Sequence, residues 1–550
     1  MGLHPADRVA DYTNRGWWVD ETINSLFTRQ VTARPGALAV ADAPNKASIV
    51  SLPPLRWTFA ELDAEVNRIG AALLRHGVRP GDVVGVQLPN IAELVATFLA
   101  IVRIGAVVSP LPVQFREHEL STLPKVAGFS AFVTSAALGD RRPAEVLSGL
   151  GHDMTLLAFG SPLPDGVIAL DAEPYGPVEP YLPDPNECVT ICWTSGTEAA
   201  PKGVPRSHYD WVAIAEACVD APRLTDADVL LNPFPVINMA AIAGTLIPWL
   251  RTGCVYALHH PFDLPTFLAQ LADERVTYTL APPALLTMLL HNETLMSTVD
   301  ISALRAIGSG SAPLPAAMVR GWQERYGIAV INFFGSNEGV GLLSSPEDFP
   351  DPDVRARYFP RYGTPGTSWA TATADRISLR LVDIATGADI TEPGIPGELR
   401  VKGPGVFAGY LAGTAEQDPF DEQGYLRSGD VFEIAGDDGQ YLRYVDRSKD
   451  IVIRGGMNIA PAELENLLQG HPSVAEVAVI GVPHEVLGEI ACAVVVPAPD
   501  THPTAEELQE YLRAKRIASY KLPERFEFTT ALPRNPLNKV LKRDLRQTYA

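Results

Sequence analysis

The sequence predicts an α/β protein with a large, multi-subdomain N-terminal region of β-sheets flanked by helices, and a small, mobile α+β C-terminal domain. In the N-terminal half, amphipathic helix patterns alternate with short apolar runs, as in α/β folds. After about residue 445 the pattern changes to strands and short capped helices, over about a hundred residues. A chain of 550 residues is also too long for a single hydrophobic core. We therefore predict two domains, at 1–445 and 446–550.

Individual elements follow from local signals. Thr58 and Glu61 form a capping box, and apolar residues at helical spacing then continue until Gly77. Buried strands are predicted at 83–88, 230–234, 277–280 and 329–334. In the C-terminal domain, Pro461 begins a helix, strands are predicted at 477–480 and 491–496, and Thr504 caps a second helix.

Composition excludes several classes of protein. With 46% apolar and 20% charged residues the chain has the composition of a globular protein, and its net charge of −21 disfavours nonspecific binding to nucleic acid. The most apolar stretch, 95–113, contains Arg103 and two prolines, which predicts a buried helix and strand and no membrane span. Charged residues interrupt 1–18 where a signal peptide needs an apolar core, so we predict a cytoplasmic protein.

The cysteines predict reduced thiols. They are five in number and scattered, without a CxxC pair, at positions 188, 192, 218, 254 and 492. This pattern fits neither a disulfide framework nor a zinc site.

Residues 194–203, Thr-Ser-Gly-Thr-Glu-Ala-Ala-Pro-Lys-Gly, follow an apolar strand pattern. Small side chains let backbone N–H groups approach phosphates, hydroxyls donate further hydrogen bonds, and Lys202 adds a positive charge. The segment is not a Walker A loop, because Pro201 and Gly203 replace the second Gly and the Ser/Thr that binds Mg²⁺. On these residues alone, a surface turn explains the segment equally well.

Further short segments follow in a fixed order. They read Gly-Ser-Gly-Ser-Ala-Pro at 308–313, Phe-Gly-Ser-Asn-Glu at 334–338, Tyr-Leu-Arg-Ser-Gly-Asp at 425–430, Asp-Arg-Ser-Lys-Asp at 446–450 with Ile-Arg-Gly-Gly at 453–456, and Pro-Arg-Asn-Pro-Leu-Asn-Lys at 533–539. Taken singly, these segments are typical of turns and charged loops. Together, in this order and spacing, they resemble the adenylate-forming superfamily of acyl-CoA synthetases, aryl-acid adenylating enzymes and luciferases. The resemblance extends almost from end to end.

The resemblance implies a set of site residues. Residues that would contact ATP or AMP are Thr194, Ser195, Gly196, Thr197, Gly310, Ser311, Ala312, Phe334, Gly335, Asn337, Asp430 and Arg447. Catalytic roles fall to Lys539, Lys202 and Glu338, of which Glu338 would also be the Mg²⁺ ligand. Lys449 would be the hinge of the small domain, and Gly455 and Gly456 would line the coenzyme A channel. The chain departs from the family pattern at Glu198, Ala199, Asn337 and Asn538.

The acyl pocket is expected to include Asn238, Met239, Ala281 and Gly308. Asn238 either orients the acid within an otherwise apolar pocket or caps a helix, and the sequence leaves both open. Ile237 stands where aryl-acid adenylating enzymes usually have His, and Arg-Gly-Trp-Trp at 15–18 is more like ligases of cyclic and medium-chain acids. The resemblance therefore implies an aromatic, alicyclic or medium-chain acid.

The implied reaction joins the acid to AMP at the expense of ATP and passes the acyl group to coenzyme A. Two alternatives stay open: the acceptor is the phosphopantetheinyl thiol of a carrier protein, or the chain is an inactive nucleotide- or acyl-binding regulator. A homodimer is also left open. Neither nucleic acid nor a membrane is an expected partner.

Overall fold

The computed structural model describes residues 2–194, 201–384, 386–415, 417–447, 450–454, 457–484, 487–515, 517, 521–534 and 540–550. The α-helices are α1 (Ala6–Asn14), α2 (Ile23–Ala33), α3 (Lys46–Val50), α4 (Phe59–Arg75), α5 (Ala92–Arg103), α6 (Glu117–Ala127), α7 (Pro143–Gly149), α8 (His208–Asp220), α9 (Met239–Ala241), α10 (Ile247–Thr252), α11 (Leu264–Asp273), α12 (Pro283–His291), α13 (Glu293–Met296), α14 (Ala316–Tyr326), α15 (Pro352–Arg357), α16 (Pro461–Gln469), α17 (Ala505–Ala514) and α18 (Lys542–Tyr549). A 3₁₀ turn lies at Leu170–Ala172, and a π-helical turn at Ile242–Leu246 joins α9 to α10.

The strands are β1 (Leu38–Ala41), β2 (Arg56–Thr58), β3 (Val83–Val86), β4 (Val107–Pro110), β5 (Phe129–Ser135), β6 (Thr155–Phe159), β7 (Ile168–Ala169), β8 (Cys188–Trp193), β9 (Gly203–Ser207), β10 (Val229–Asn232), β11 (Val255–Leu258), β12 (Tyr278–Leu280), β13 (Ala306–Gly310), β14 (Ala329–Gly335), β15 (Gly341–Ser344), β16 (Tyr358–Pro360), β17 (Ser378–Val382), β18 (Gly397–Lys402), β19 (Leu426–Ala435), β20 (Tyr441–Arg447), β21 (Val452–Arg454), β22 (Met457–Ile459), β23 (Val474–His484), β24 (Gly488–Pro497) and β25 (Arg525–Phe528).

The chain divides into two compact units. The first unit comprises described residues within 1–194, 200–378 and 401–426, and the second comprises those within 379–400 and 427–550. The predicted boundary between 445 and 446 falls inside β20, within the second unit. The predicted α/β fold class with a small C-terminal α+β region is confirmed.

Two sheets organise the first unit. The larger has the order β15-β14-β13-β12-β10-β11-β1-β2, and its central strands from β14 to β1 are parallel. The strands predicted at 230–234, 277–280 and 329–334 are β10, β12 and β14 of this sheet. Their apolar side chains are buried because helices cover both faces of a parallel sheet.

The second sheet of this unit has the order β7-β6-β5-β3-β4-β8-β9. The apolar stretch 95–113 forms most of α5 and all of β4, as predicted, and every residue of α5 is buried. In the described part of the chain, the helices are all too short or too polar to cross a bilayer. The capping box of Thr58 and Glu61 begins α4, as its sequence pattern predicts.

Strands β17 to β20 of the second unit form a sheet in the order β20-β19-β18-β17. The C-terminal part of the second unit contains a further sheet in the order β22-β21-β24-β23, and β25 pairs with β24. Apolar residues of α16, α17 and the sheet form one core that includes Leu464, Val479, Val495 and Leu508. Pro461 begins α16, and Thr504 with Glu507 caps α17, as predicted.

Candidate active site

Glu338 lies in a tight turn between the antiparallel strands β14 and β15. The Ser336 N–H donates to the Val340 carbonyl at 3.0 Å, and the Gly339 N–H donates to the Ser336 carbonyl at 3.0 Å. Gly339 has φ +104°, and a Cβ added there would lie 2.0 Å from the Gly405 carbonyl oxygen. Only glycine fits this position, so the backbone fixes where the neighbouring carboxylate begins.

A tyrosine connects Glu338 to Lys202. The Tyr410 hydroxyl donates to Glu338 Oε1 at 2.9 Å, and Lys202 Nζ lies 5.3 Å from the centre of the Tyr410 ring. The Thr194 N–H donates to the Lys202 carbonyl at 3.0 Å, which closes the base of the loop between β8 and β9. The structure therefore brings together the cation and the carboxylate predicted from two distant segments. A polyphosphate with a divalent cation matches this charge pair.

Asn337 is held on two sides. Its Oδ1 accepts from the Met239 N–H at 2.8 Å, and its carbonyl accepts from Arg206 Nη1 at 2.8 Å. The side-chain oxygen thus positions the start of α9, while the amide nitrogen carries the donors that a phosphate oxygen needs.

Gly310 and Gly335 are the last residues of the neighbouring strands β13 and β14. A Cβ at Gly310 would lie 2.3 Å from the Phe333 carbonyl oxygen, so this position too requires glycine. Ser311 follows with φ +72°, and Ala312 is exposed. The Phe334 ring lies 5.8 Å from that of Phe359. Ligands of open α/β sheets bind at the carboxyl ends of strands, where these residues, expected to contact ATP or AMP, lie.

A mostly apolar cavity of about 170 Å³ lies beside this turn. Its walls include Ala217, Cys218, Ala243, Leu280, Phe333 and Leu343. Met239 and Gly308, two of the residues expected in the acyl pocket, also line it. Burial raises the pKa of the Cys218 thiol to about 12, so this cysteine is a neutral part of the wall.

Two predicted pocket residues are not among those that line the cavity. Asn238 caps α9, with its Oδ1 accepting from the Ala240 N–H at 3.1 Å. Ala281 is buried, and its N–H donates to the Gly308 carbonyl at 3.0 Å. Of the two roles that the sequence left open for Asn238, the structure shows the cap.

Asp430 and Arg447 are cross-strand partners on β19 and β20 of the second unit. Arg447 Nε lies 2.7 Å from Asp430 Oδ1, and the Asp430 side chain is only 2% exposed. A carboxylate offers two acceptor oxygens, which suit a clamp for two ribose hydroxyls.

The remaining predicted site residues lie outside the described part of the chain. They are Ser195, Gly196, Thr197, Lys449, Gly455, Gly456 and Lys539.

Sequence reasoning missed Tyr410 and Arg206. Tyr410 follows a glycine-rich segment that begins at Gly403, a pattern that marks close backbone approach and was a usable signal. Arg206 is fully buried, although the sequence of β9, Gly-Val-Pro-Arg-Ser, does not indicate that a charged side chain would be. Its two Nη atoms donate to backbone carbonyls of distant segments, contacts that only the tertiary structure reveals.

Comparison with known proteins agrees with these motifs. Residues 27–411 match the family "AMP-binding enzyme", and residues 463–539 match "AMP-binding enzyme C-terminal domain". Indoleacetate–CoA ligase of Aromatoleum aromaticum is 33% identical over 516 residues, covering 92% of this chain and 96% of that protein. Medium-chain fatty-acid–CoA ligase of Escherichia coli is 30% identical, and the match covers 98% of this chain and 92% of that protein.

Among solved structures, ATP-bound MatB from Rhodopseudomonas palustris superposes with a TM-score of 0.79 at 28% identity, covering 96% of this chain and 99% of that one. The matches extend over both the large region and the C-terminal domain. The chain belongs to the family of AMP-binding enzymes.

Proposed function

We propose that this protein activates an aromatic, alicyclic or medium-chain carboxylic acid with ATP and transfers the acyl group to coenzyme A. A carboxylate oxygen attacks the α-phosphorus, pyrophosphate leaves, and an acyl-adenylate forms. The coenzyme A thiol, losing its proton, then attacks the acyl carbon, and AMP leaves. The relatives named as indoleacetate and medium-chain fatty-acid CoA ligases support this choice.

The observation that carries the proposal is the pairing of Lys202 and Glu338 through Tyr410, beside an apolar cavity. Phosphoryl and nucleotidyl transfer need positioned charges around the phosphates. An acyl chain needs a dry, apolar pocket with few polar groups. Both requirements meet around one turn, since Gly335 and Gly339 line the cavity and flank Glu338.

Glu338 is the proposed ligand for Mg²⁺, which would neutralise charge on the phosphates of bound ATP. Among the described residues, no group of three or more His, Cys, Asp or Glu side chains could form a metal cage. A single carboxylate nevertheless fits Mg²⁺, because this ion keeps several waters and takes its other ligands from phosphates. Asp430 and Arg447 are the proposed ribose contacts, and Lys539 the proposed adenylation lysine.

Cavity size supports an acid of modest dimensions. A dry cavity of about 150 Å³ binds benzene, so the 170 Å³ found here would hold one aromatic ring or a chain of similar volume. Its apolar wall would favour an acid without charge beyond its carboxylate.

Acid-dependent exchange of pyrophosphate into ATP tests the proposal over a panel of aromatic, alicyclic and C4–C12 straight-chain acids. We expect exchange with a subset of these acids and thioester formation when coenzyme A is added. Exchange without any thioester, restored by a phosphopantetheinyl carrier protein, would identify the carrier as the acceptor. No exchange with any acid would indicate a binding protein that lacks the activity.

Glu338→Gln tests the metal assignment. We expect the variant to need more Mg²⁺ for half-maximal exchange, because the carboxylate no longer contributes to the metal site. Glu324→Gln, at an exposed glutamate of α14, is the matched control. Equal Mg²⁺ dependence in both variants would refute the role of Glu338.

A further inference from the structure

Four consecutive backbone carbonyls, those of residues 403–406, each accept a hydrogen bond from a side chain that is distant in sequence. Arg8 Nη2 donates to the carbonyls of Gly403 at 3.3 Å and Val406 at 3.0 Å. Trp18 Nε1 donates to the Pro404 carbonyl at 2.9 Å. Arg206 Nη2 donates to the Gly405 carbonyl at 2.8 Å. We call the donors Arg8, Trp18 and Arg206 the carbonyl brace.

The loop that the brace holds is part of the cavity wall. Residues 403–406 all line the cavity, and the Phe407 N–H donates to the Glu338 carbonyl at 2.9 Å. The Gly405 carbonyl oxygen also occupies the space that a side chain at position 339 would need. A displacement of this loop therefore changes the shape of the cavity and the packing of the Glu338 turn together.

Buried contacts support the brace. Trp18 is 2% exposed and stacks on Tyr209 with ring centres 4.6 Å apart. The same aromatic cluster includes Ala213, which lines the cavity. Arg206 is fully buried, packs over Trp211 and lies 3.7 Å from Asp210, which in turn pairs with His4 at 2.8 Å. Such side chains lose little further freedom, so their hydrogen bonds fix the loop in one place.

We infer that Arg8 and Trp18, in the N-terminal segment, and Arg206 are positioning residues that set the width of the acyl cavity and hence the choice of acid. This inference rests on the proposed function, since it concerns the acid of that reaction. It gives a role to the Arg-Gly-Trp-Trp segment at 15–18, because Trp18 reaches a cavity-lining loop far along the chain. The donors act through the backbone of residues 403–406 and need no contact with substrate.

The chain offers two matched pairs of variants. Trp18→Phe removes the N–H donor and keeps a ring against Tyr209, while Trp17→Phe makes the same change at a ring that packs on Tyr12. Arg8→Gln replaces the guanidinium that donates to two carbonyls with a shorter amide, while Arg15→Gln makes the same change at an exposed arginine that pairs with Asp11. Among the described residues, neither control side chain donates to the loop.

The readout is the ratio of kcat/KM for two acids of different size, chosen from those that the wild type activates. This ratio does not depend on how much of a sample is folded, so a merely structural defect leaves it unchanged. We expect Trp18→Phe and Arg8→Gln to raise the ratio in favour of the larger acid by about three- to tenfold, the effect of one buried hydrogen bond. Trp17→Phe and Arg15→Gln should keep the wild-type ratio.

The inference is overturned if each variant has the same ratio as its control. If Trp18→Phe yields no folded protein, the partly exposed Arg8→Gln pair decides the question alone. A wild-type enzyme that activates no acid would instead overturn the proposed function, and this inference with it, so the two failures are distinct.

Discussion

The proposed acyl cavity of the first unit and a group of charges in the second unit are held by different forces. The cavity is bounded by glycines, aliphatic side chains and a loop fixed through its carbonyls. The charges lie around the end of β20: Ala462 N–H donates to Asp446 at 2.8 Å, Lys542 pairs with Glu465 at 2.8 Å, and Arg546 pairs with Asp450 at 2.7 Å. We call Asp446, Asp450, Glu465, Lys542 and Arg546 the ionic cluster.

These two regions differ in how easily they exchange partners. Hydrogen bonds from buried side chains to backbone carbonyls are directional and shielded from salt. In the ionic cluster, Lys542, Glu465 and Arg546 are 17%, 22% and 30% exposed, so water and salt compete for their charges. A fixed cavity suits selection of an acid, whereas exchangeable ion pairs would suit the turning of the small domain that the resemblance implies. The predictions below test this contrast.

The largest expected effect is that of Lys539→Ala on adenylate formation. An ammonium placed against the charge that grows in the transition state contributes about 10²–10³ in rate. Thioester formation from preformed acyl-adenylate should stay near the wild-type rate, because the resemblance implies that the small domain has then turned. Lys515→Ala, at an exposed lysine of the second unit, is the control for both measurements. Equal loss of both half-reactions would contradict the rotation.

Gly456→Trp should show the reverse defect. The resemblance places Gly456 along the channel for the thiol, where an indole would block pantetheine. Single-turnover measurements of adenylate formation and of thioester formation in Gly456→Trp and Lys539→Ala separate the two half-reactions. A Gly456→Trp enzyme with normal thioester formation would place the channel elsewhere.

The first unit should lose stability in acid through His208. Burial lowers the pKa of His208 from its ordinary value of 6.5 to about 4, and its Nδ1 accepts from the Ile23 N–H at 3.1 Å. The unfolded chain binds the proton more readily, so stability from this group is present above pH 6.5 and is lost as the pH falls towards 4. The loss amounts to about 3 kcal/mol.

His208→Gln offers an oxygen to the same N–H without a titrating group. We expect its unfolding free energy to fall less steeply between pH 6.5 and 4 than that of the wild type, in denaturant titrations at each pH. The exposed His118→Gln is the matched control. An unchanged slope in His208→Gln would show that other groups govern the acid response.

Breaking the ionic cluster should have a smaller, salt-dependent effect. Burial alone would lower the pKa of Lys542, but the carboxylates of Glu465 and Asp446 raise it above its usual value. Lys542→Met leaves these carboxylates without their cation, and we expect a loss of about 1–3 kcal/mol of stability that shrinks in high salt. Lys515→Met is the control, and unfolding in low and high salt is the measurement. A loss independent of salt would mean that packing, and not charge, holds this region.

Sequence patterns predicted the parts of the molecule that depend on local chemistry. The capping boxes at Thr58 and Thr504 and the buried strands β10, β12 and β14 could all be found in this way, whereas the roles of Lys202 and Glu338 followed from the family resemblance. The contacts between distant segments could not. Nothing near Trp18 or Arg206 in sequence indicates that their N–H groups reach residues 403–406, because the tertiary fold alone brings those carbonyls to them.

Asn238 gives the smallest expected effect and tests whether the cavity wall selects acids without a polar contact from this residue. Its Oδ1 caps α9, so Asn238→Ala should cost about 1 kcal/mol of stability, whereas Asn238→Ser can keep the cap through its hydroxyl. Both substitutions remove the amide. If the amide serves only the cap, the ratio of kcat/KM between two acids should match the wild type in both variants, and only Asn238→Ala should lower the unfolding free energy. A shift of the ratio by the same factor in both variants would instead show that the amide contacts the acid. The acid would then be selected by a hydrogen bond in addition to the shape of the cavity.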